Sequence, residues 1–313
     1  MRTPPRVAAV VLSVDEAHRL ESCLPPLASA DEVVVVDNAC TDATAEVAER
    51  RGARVVSLAE RRSYAAAMNA GLAATRGADA VLLVNADCVL EPGAVEALAS
   101  ALAADDRLGA VAPKLVRDAD PTRIDAAGML LDRRRKNNVV GHNDPATAYD
   151  RAAPVFGPDG ACGLWRGAAL DDCAPDGEVF DEDLALWASD ADLAWRARLL
   201  GWGARYEPAA RGRHVRFFSP STRARVEPHH RRLQFRNRLL MMVKNDRPRD
   251  LLRDLPSVAL YEAAALAYAL VVERELLGGY LDAARALRPA LRRRRAIQPR
   301  RRATPPFGLE PPR

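Results

Sequence analysis

Cysteine is scarce in this chain and carries no pattern. Cys23, Cys40, Cys88, Cys162 and Cys173 are scattered through 313 residues without a Cys-x-x-Cys pair. That argues against a zinc site and against a disulfide framework, and it fits a reducing compartment. Long apolar runs are also missing. Val7–Leu12 is too short for a signal peptide and is followed by Asp15 and Glu16. Val258–Val272 is too short to cross a bilayer and contains Glu262. A soluble or peripheral protein is expected. Aromatics are 5% of the chain and do not interleave with its basic tail, so no nucleic-acid partner is expected. Ser13–Arg19 contains no glycine, whereas a nucleotidyltransferase would need a glycine-rich phosphate loop there.

What is present is an ordinary globular composition, rich in Ala and Arg, and long enough for one large α/β domain or two smaller ones. Net charge is +4 but unevenly spread: residues 285–313 hold ten Arg against one Glu. The body is therefore mildly acidic and the tail strongly basic, which suits an anionic surface or a disordered solvated end.

Strand and helix signals alternate through the first hundred residues. Apolar runs at Val7–Leu12, Val33–Val36, Arg54–Leu58 and Val81–Val84 are separated by helical stretches at Ala17–Leu27, Asp42–Arg51 and Ser63–Thr75, and the last is followed by a helix over Gly93–Ala104. This is the pattern of a parallel sheet covered by helices. Lys114–Pro158 is polar and reads as loops and short strands without a core of its own, with Arg133–Lys136 as a solvated face. Order resumes at Gly160–Trp165. Ser189 reads as the N-cap of a helix through Leu200, which puts Asp190 and Asp192 in its first turn. Helices follow at His230–Lys244, Leu251–Leu277 and Tyr280–Leu291, and disorder is expected from Arg292. The resulting division is 1–113, 114–228, a helical extension 229–291, and a tail 292–313.

Two acids stand out. Asp37 and Asp87 each follow an apolar strand, so both should lie at the carboxyl edge of the sheet, where open α/β sheets bind ligands. A hard cation such as Mg²⁺ or Mn²⁺ takes oxygen ligands and holds diphosphates well, so Asp87 is a candidate metal ligand.

The segments VVVVDNACTDAT, YAAAMNAG, LLVNADCVLEPGA, GACGLWRGAAL and FDEDLALWASDADLAWRARLLGW, in this order over about residues 7–245, resemble the family-2 glycosyltransferases. Their spacing is similar to that of the bacterial branch that includes rhamnosyltransferases. The resemblance implies a glycosyltransferase A fold: a Rossmann-like, mainly parallel sheet with flanking helices for the nucleotide-sugar, and a smaller half for the acceptor, here followed by C-terminal helices. It implies an inverting transfer, assisted by Mg²⁺ or Mn²⁺, from a nucleotide-sugar donor to a hydroxyl of a cell-surface glycan or lipid-linked acceptor, with rhamnose a candidate sugar. By the same resemblance Asp190 is the general base, Asp87 and His214 hold the metal, and Ser13, Asp37, Asn69 and Asn85 contact the nucleotide or sugar. The chain departs from the family at Ser13-Val14-Asp15, at Arg61-Arg62-Ser63 and at Ser189. These changes put the donor's identity and the base's strength in question, and they leave a non-catalytic nucleotide-sugar-binding scaffold as the alternative. A cytoplasmic location, peripheral at the inner membrane face, is expected. The basic helix His229–Lys244, with Arg236 and Arg238, and the arginine tail are the candidates to meet a pyrophosphate-lipid or an anionic membrane.

Overall fold

The computed structural model describes residues 5–217 and 226–311. Four parallel strands, β1 (Val7–Ser13), β2 (Glu32–Asp37), β3 (Arg54–Ser57) and β4 (Ala80–Asn85), run side by side in the order β4-β1-β2-β3. Helices α1 (Ala17–Cys23), α2 (Thr44–Arg50) and α3 (Tyr64–Ala74) connect them. The short β5 (Cys88–Leu90), helix α4 (Ala94–Ala103) and the ten-residue β6 (Leu108–Arg117) come next. After β7 (Asp120–Ala126), the small β8 (Met129–Leu131) and β9 (Asn137–Val139) pair, and β10 (Ala153–Pro154) leads to β11 (Cys162–Arg166). β11 inserts antiparallel between β4 and β6. Helices α5 (Gly167–Cys173) and α6 (Ser189–Leu199) precede β12 (Gly203–His214), which runs parallel to β6. The chain closes with α7 (Pro228–Asn245), α8 (Pro248–Val271), α9 (Leu277–Arg285) and α10 (Leu287–Ile297).

The strands alternate between two cores because successive side chains point to opposite faces of a sheet. In β1, Ala8, Val10 and Leu12 join the core with α3 and α6, while Val7, Ala9 and Val11 join the core with α1 and α4. Helix α3 lies so close to the sheet that a Cβ on Gly71 would stand 2.5 Å from Val10 Cγ1 and 2.7 Å from Val36 Cγ2. Only glycine allows that approach.

Several expectations are corrected. The boundary at 113/114 falls inside β6, so both halves share one sheet. Lys114–Pro158 does contribute to the core, through Ile124, Met129, Tyr149 and Phe156. Arg133, Arg134 and Lys136 are exposed, but Arg135 is fully buried. Its guanidinium pairs with Asp246 at 2.7 Å and Asp254 at 2.9 Å and lies 3.9 Å from the Phe307 ring centroid. Helix α7 is not a free cationic face. Arg231, Arg232 and Arg238 pair with Glu273, Asp282 and Glu262, and Lys244 is buried against Asp181 and Asp192. The arginine tail is also ordered up to Pro311, with Pro312 and Arg313 outside the described residues. Its arginines find acids on the body: Arg293 reaches Glu178 at 2.6 Å and Asp181 at 2.8 Å, and Arg300 reaches Asp172 at 3.1 Å. Composition alone predicts solvation for such a run; the acidic body supplies the partners that composition does not reveal.

Candidate active site

The register of the parallel strands brings three of the expected residues to one edge. Ser13 pairs across to Asp37, and Leu12 pairs to Asn85. Asp37 accepts from the Cys40 backbone N–H at 2.8 Å. Asn85 donates its backbone N–H to the Ala161 carbonyl at 3.0 Å, which ties the end of β4 to the loop before β11. The Ser13 hydroxyl is fully buried and meets Thr44 Oγ1 at 3.0 Å, so it supports the edge from below. Asn69 is not part of this group. Its amide donates to the Phe180 carbonyl at 2.9 Å, and its oxygen accepts from the Phe180 N–H at 2.8 Å, a clamp between α3 and the loop before α6. Asn69 also borders a cleft of about 760 Å³ with Pro5, Asp79 and Arg166, at the opposite, amino end of β1 and β4 and away from the acids described next.

Asp87 and His214 meet because β12 pairs antiparallel with β5, which sets His214 opposite Cys88. The His214 Nε2 lies 3.3 Å from Asp87 Oδ1, and its Nδ1 lies 2.8 Å from Asp125 Oδ2. Asp125 also receives Arg216 at 2.7 and 2.8 Å, and Arg216 reaches on to Asp159 at 3.0 Å. Burial opposes a charge on His214, yet Asp125 and Asp87 outweigh it and push its pKa up to about 10. Burial would likewise raise Asp125, but His214 and Arg216 hold it down at about 2.

Asp190 begins α6 beside this network. Its Oδ2 accepts from the Gly160 N–H at 3.0 Å and its Oδ1 from the Ala191 N–H at 2.8 Å. Burial, and then the charge on Asp159, raise its pKa to about 6 despite those two donors. The pKa of the half-buried Tyr64 hydroxyl is raised by desolvation and by the charges of Asp190, Asp159 and Asp87. Ser189 does not cap the helix. It is the first helical residue, and the left-handed Ala188 takes the cap position without a side-chain bond. Asp192 points away from Asp190: Lys244 at 2.7 Å, Asn245 at 2.7 Å and Arg196 at 2.9 Å surround it. The loop before α6 holds Ala185, Trp187 and Ala188 at positive φ, a conformation that costs energy in residues with a Cβ. Asn237 of α7 steadies it, its Nδ2 lying 2.6 Å and 2.7 Å from the Leu184 and Leu186 carbonyl oxygens.

Asp125, Arg216, Asp159 and Asn237 were not foreseen. Asp125 had a signal, an acid between Ile124 and Ala126 in a strand-like run, within a segment read as loop. The other three show themselves only through contacts distant in sequence.

The residues fit a divalent cation. Asp87 Oδ1 is buried and its partner among the described residues is His214 Nε2 at 3.3 Å, and the group sets Asp87, Asp125, Asp159 and Asp190 against His214 and Arg216. A protonated His214 supplies positive charge beside that oxygen. A cation there would displace the Nε2 proton, while the Nδ1–H bond to Asp125 would keep the ring oriented.

A mainly parallel sheet with acids gathered at its carboxyl edge is the arrangement of the glycosyltransferase A fold. The chain belongs to glycosyl transferase family 2, which residues 9–153 match. It is 30% identical to the N-acetylglucosaminyl-diphospho-decaprenol L-rhamnosyltransferase of Mycobacterium tuberculosis, over 66% of this chain and 74% of that protein. Two solved structures share its fold. The mannosyltransferase PcManGT of Pyrobaculum calidifontis, in complex with GDP-Man and Mn²⁺, aligns with TM-score 0.56 at 21% identity, covering 93% of this chain and 78% of its own. S. aureus TarS 1-349 in complex with UDP-GlcNAc aligns with TM-score 0.60 at 17% identity, covering 94% and 88%.

Proposed function

We propose that this protein is an inverting glycosyltransferase that moves a sugar, rhamnose being the leading candidate, from a nucleotide-sugar to a hydroxyl of a glycan or lipid-linked acceptor. The observation that carries this reading is Asp190: a carboxylate held by two backbone donors at a helix start, with its pKa raised to about 6. Such a group is ionised at neutral pH and basic enough to take a hydroxyl proton. The relative's name, a rhamnosyl transfer to N-acetylglucosaminyl-diphospho-decaprenol, supports the sugar and acceptor class. Five free cysteines support a reducing, cytoplasmic setting.

In this reading Asp37 and Asn85 receive the nucleoside at the sheet edge, over the floor that Ser13 and Thr44 brace. Asn69 acts through the loop it clamps. Asp87 and His214 would hold Mg²⁺ or Mn²⁺, which would draw off the charge that builds on the leaving diphosphate. Asp190 accepts the acceptor's proton as its oxygen attacks the anomeric carbon opposite the diphosphate. The new C–O bond forms as the bond to the diphosphate breaks, so the anomeric configuration inverts. The Gly160 and Ala191 N–H groups keep both carboxylate oxygens aimed without neutralising them.

The test is transfer to a synthetic lipid-diphosphate N-acetylglucosamine from a panel of nucleotide-sugars, with the product's anomeric configuration read by NMR. Inversion with one donor, lost in Asp190→Asn, is expected. A retained configuration, or full transfer by Asp190→Asn, would overturn the mechanism.

A further inference from the structure

Helix α8 is built inside out. A surface helix ordinarily buries an apolar stripe and shows its charges to water. In α8 the buried positions are Asp250, Asp254, Val258 and Ala269; Asp254 pairs with Arg135 at 2.9 Å and Asp250 with Arg301 at 3.1 Å. Glu262, further along, pairs with Arg238 of α7. The leucines face outward: Leu252, Leu255, Leu260, Leu266, Leu270 and Val271 are between 41% and 82% exposed. From Leu252 to Val271 the strip runs for about 30 Å. Scattered exposed leucines need no explanation, but a continuous strip does. A mostly apolar groove of about 560 Å³, lined by Leu239, Met242, Glu262, Ala263, Leu266 and Tyr280, opens along the strip between α7, α8 and α9.

The charges around the strip select its partner. On α8 and the turn after it the exposed basic residues are Arg249, Arg253, which also pairs with Asp254, and Arg274, and the exposed acid is Glu275. A second copy laid on this strip would set arginines against arginines. A bilayer with anionic headgroups gives the leucines an apolar layer and the arginines their counter-charge. The ion pairs of Asp250, Asp254 and Glu262 tie the inner side of α8 to the body, which favours a helix lying flat on the lipid, although α8 is long and apolar enough to cross a bilayer.

We propose that the outer face of α8 docks this protein on an anionic lipid bilayer, with its leucines in the headgroup–acyl boundary and the surrounding arginines on the headgroups. The proposal does not depend on the sugar-transfer reading. Its test is flotation of the full chain with vesicles of phosphatidylcholine and phosphatidylglycerol, against pure phosphatidylcholine, at low and high salt. Binding to the anionic vesicles, weakened by salt, is expected. Leu260→Glu/Val271→Glu should lower it by about tenfold or more. Thermal midpoint and donor binding should stay unchanged in that variant, because both side chains are exposed and lie outside the active site. A wild type that does not float, or a double variant that floats equally well, would overturn the proposal. So would a dimer that the double variant converts to monomer in the absence of vesicle binding, which would assign the strip to a second copy.

Discussion

Asp125 has no direct access to a substrate, yet it sets the state of His214. From a fully buried position it accepts hydrogen bonds from His214 Nδ1 and from Nε and Nη2 of Arg216. Removing one partner of a buried charge network leaves the others uncompensated. Asp125→Ala should therefore lower unfolding stability by about 3–5 kcal/mol in denaturant titrations. It should also move the His214 titration, followed by NMR, down from about 10. Asp190 carries the opposite sign. Its folded pKa, about 6, lies above the ordinary value of 3.8, so its charged form is disfavoured on folding. That penalty is absent below the unfolded pKa and complete above the folded one. Asp190→Asn should therefore match or exceed the wild type in thermal midpoint at pH 7.5 while transfer falls by about 10²–10⁴-fold. In the wild type, kcat/KM should fall as pH drops through about 6, because the base must be ionised to act. Asp87 stood out in the sequence because it ends an apolar strand, whereas Asp190 and His214 were singled out by the family resemblance. Asp125 and Arg216 were hidden because nothing local distinguishes a buried ion-pair partner from a surface charge. Asn69 and Ser13 stood in the right pattern, but their side chains are engaged within the protein.

Helix α6 carries the proposed base, and what fixes it comes from the far end of the chain. Lys244 and Asn245 of α7 hold Asp192, and Arg293 of α10 reaches Asp181, which also binds Lys244. Burial would raise Asp192, but Lys244 and Arg196 hold it down at about 2. Its stabilisation is present above the unfolded pKa and is lost as pH falls through the folded one. Lys244→Met leaves two buried carboxylates short of a cation and should cost about 3 kcal/mol, with part restored by adding Asp192→Asn. Urea unfolding of the single and double variants checks both statements. Periodicity revealed α6 and α7 separately, but their docking rests on contacts more than fifty residues apart, such as Asn245 to Asp192, which no local pattern encodes.

At the scale of the whole molecule, the C-terminal segment is a strap across α6 and the β8–β9 pair. Phe307 stacks on Phe156 with ring centroids 6.1 Å apart and meets the edge of Trp195 at 5.3 Å, beneath the guanidinium of Arg135. Gly308 donates its N–H to the Leu131 carbonyl at 2.9 Å, and Arg302 donates its own to the Leu199 carbonyl at 2.8 Å. The strap thus closes over α6 and the β8–β9 pair. Phe307→Ala should lower stability by about 2–3 kcal/mol, read as a drop in thermal midpoint, since it exposes Trp195 and Phe156. Disorder was the natural reading of an Arg- and Pro-rich end, and a single aromatic anchor with acids waiting on the body reverses it. The alternation of the first hundred residues, by contrast, delivers the sheet almost strand for strand, because β1 to β4 are short apolar runs bounded by turns.

The measurement that bears most directly on the central claim is thermal stabilisation by nucleotide-sugars, with and without Mn²⁺, of wild type, Asp87→Ala and Asp190→Asn. Ligand binding only to the folded state raises apparent stability, by about 2.7 kcal/mol at a hundred times Kd. The account predicts Mn²⁺-dependent stabilisation by one sugar nucleotide, lost in Asp87→Ala and kept in Asp190→Asn. Stabilisation that survives Asp87→Ala, or that vanishes in Asp190→Asn, would contradict the division between a metal-holding Asp87 and a proton-accepting Asp190.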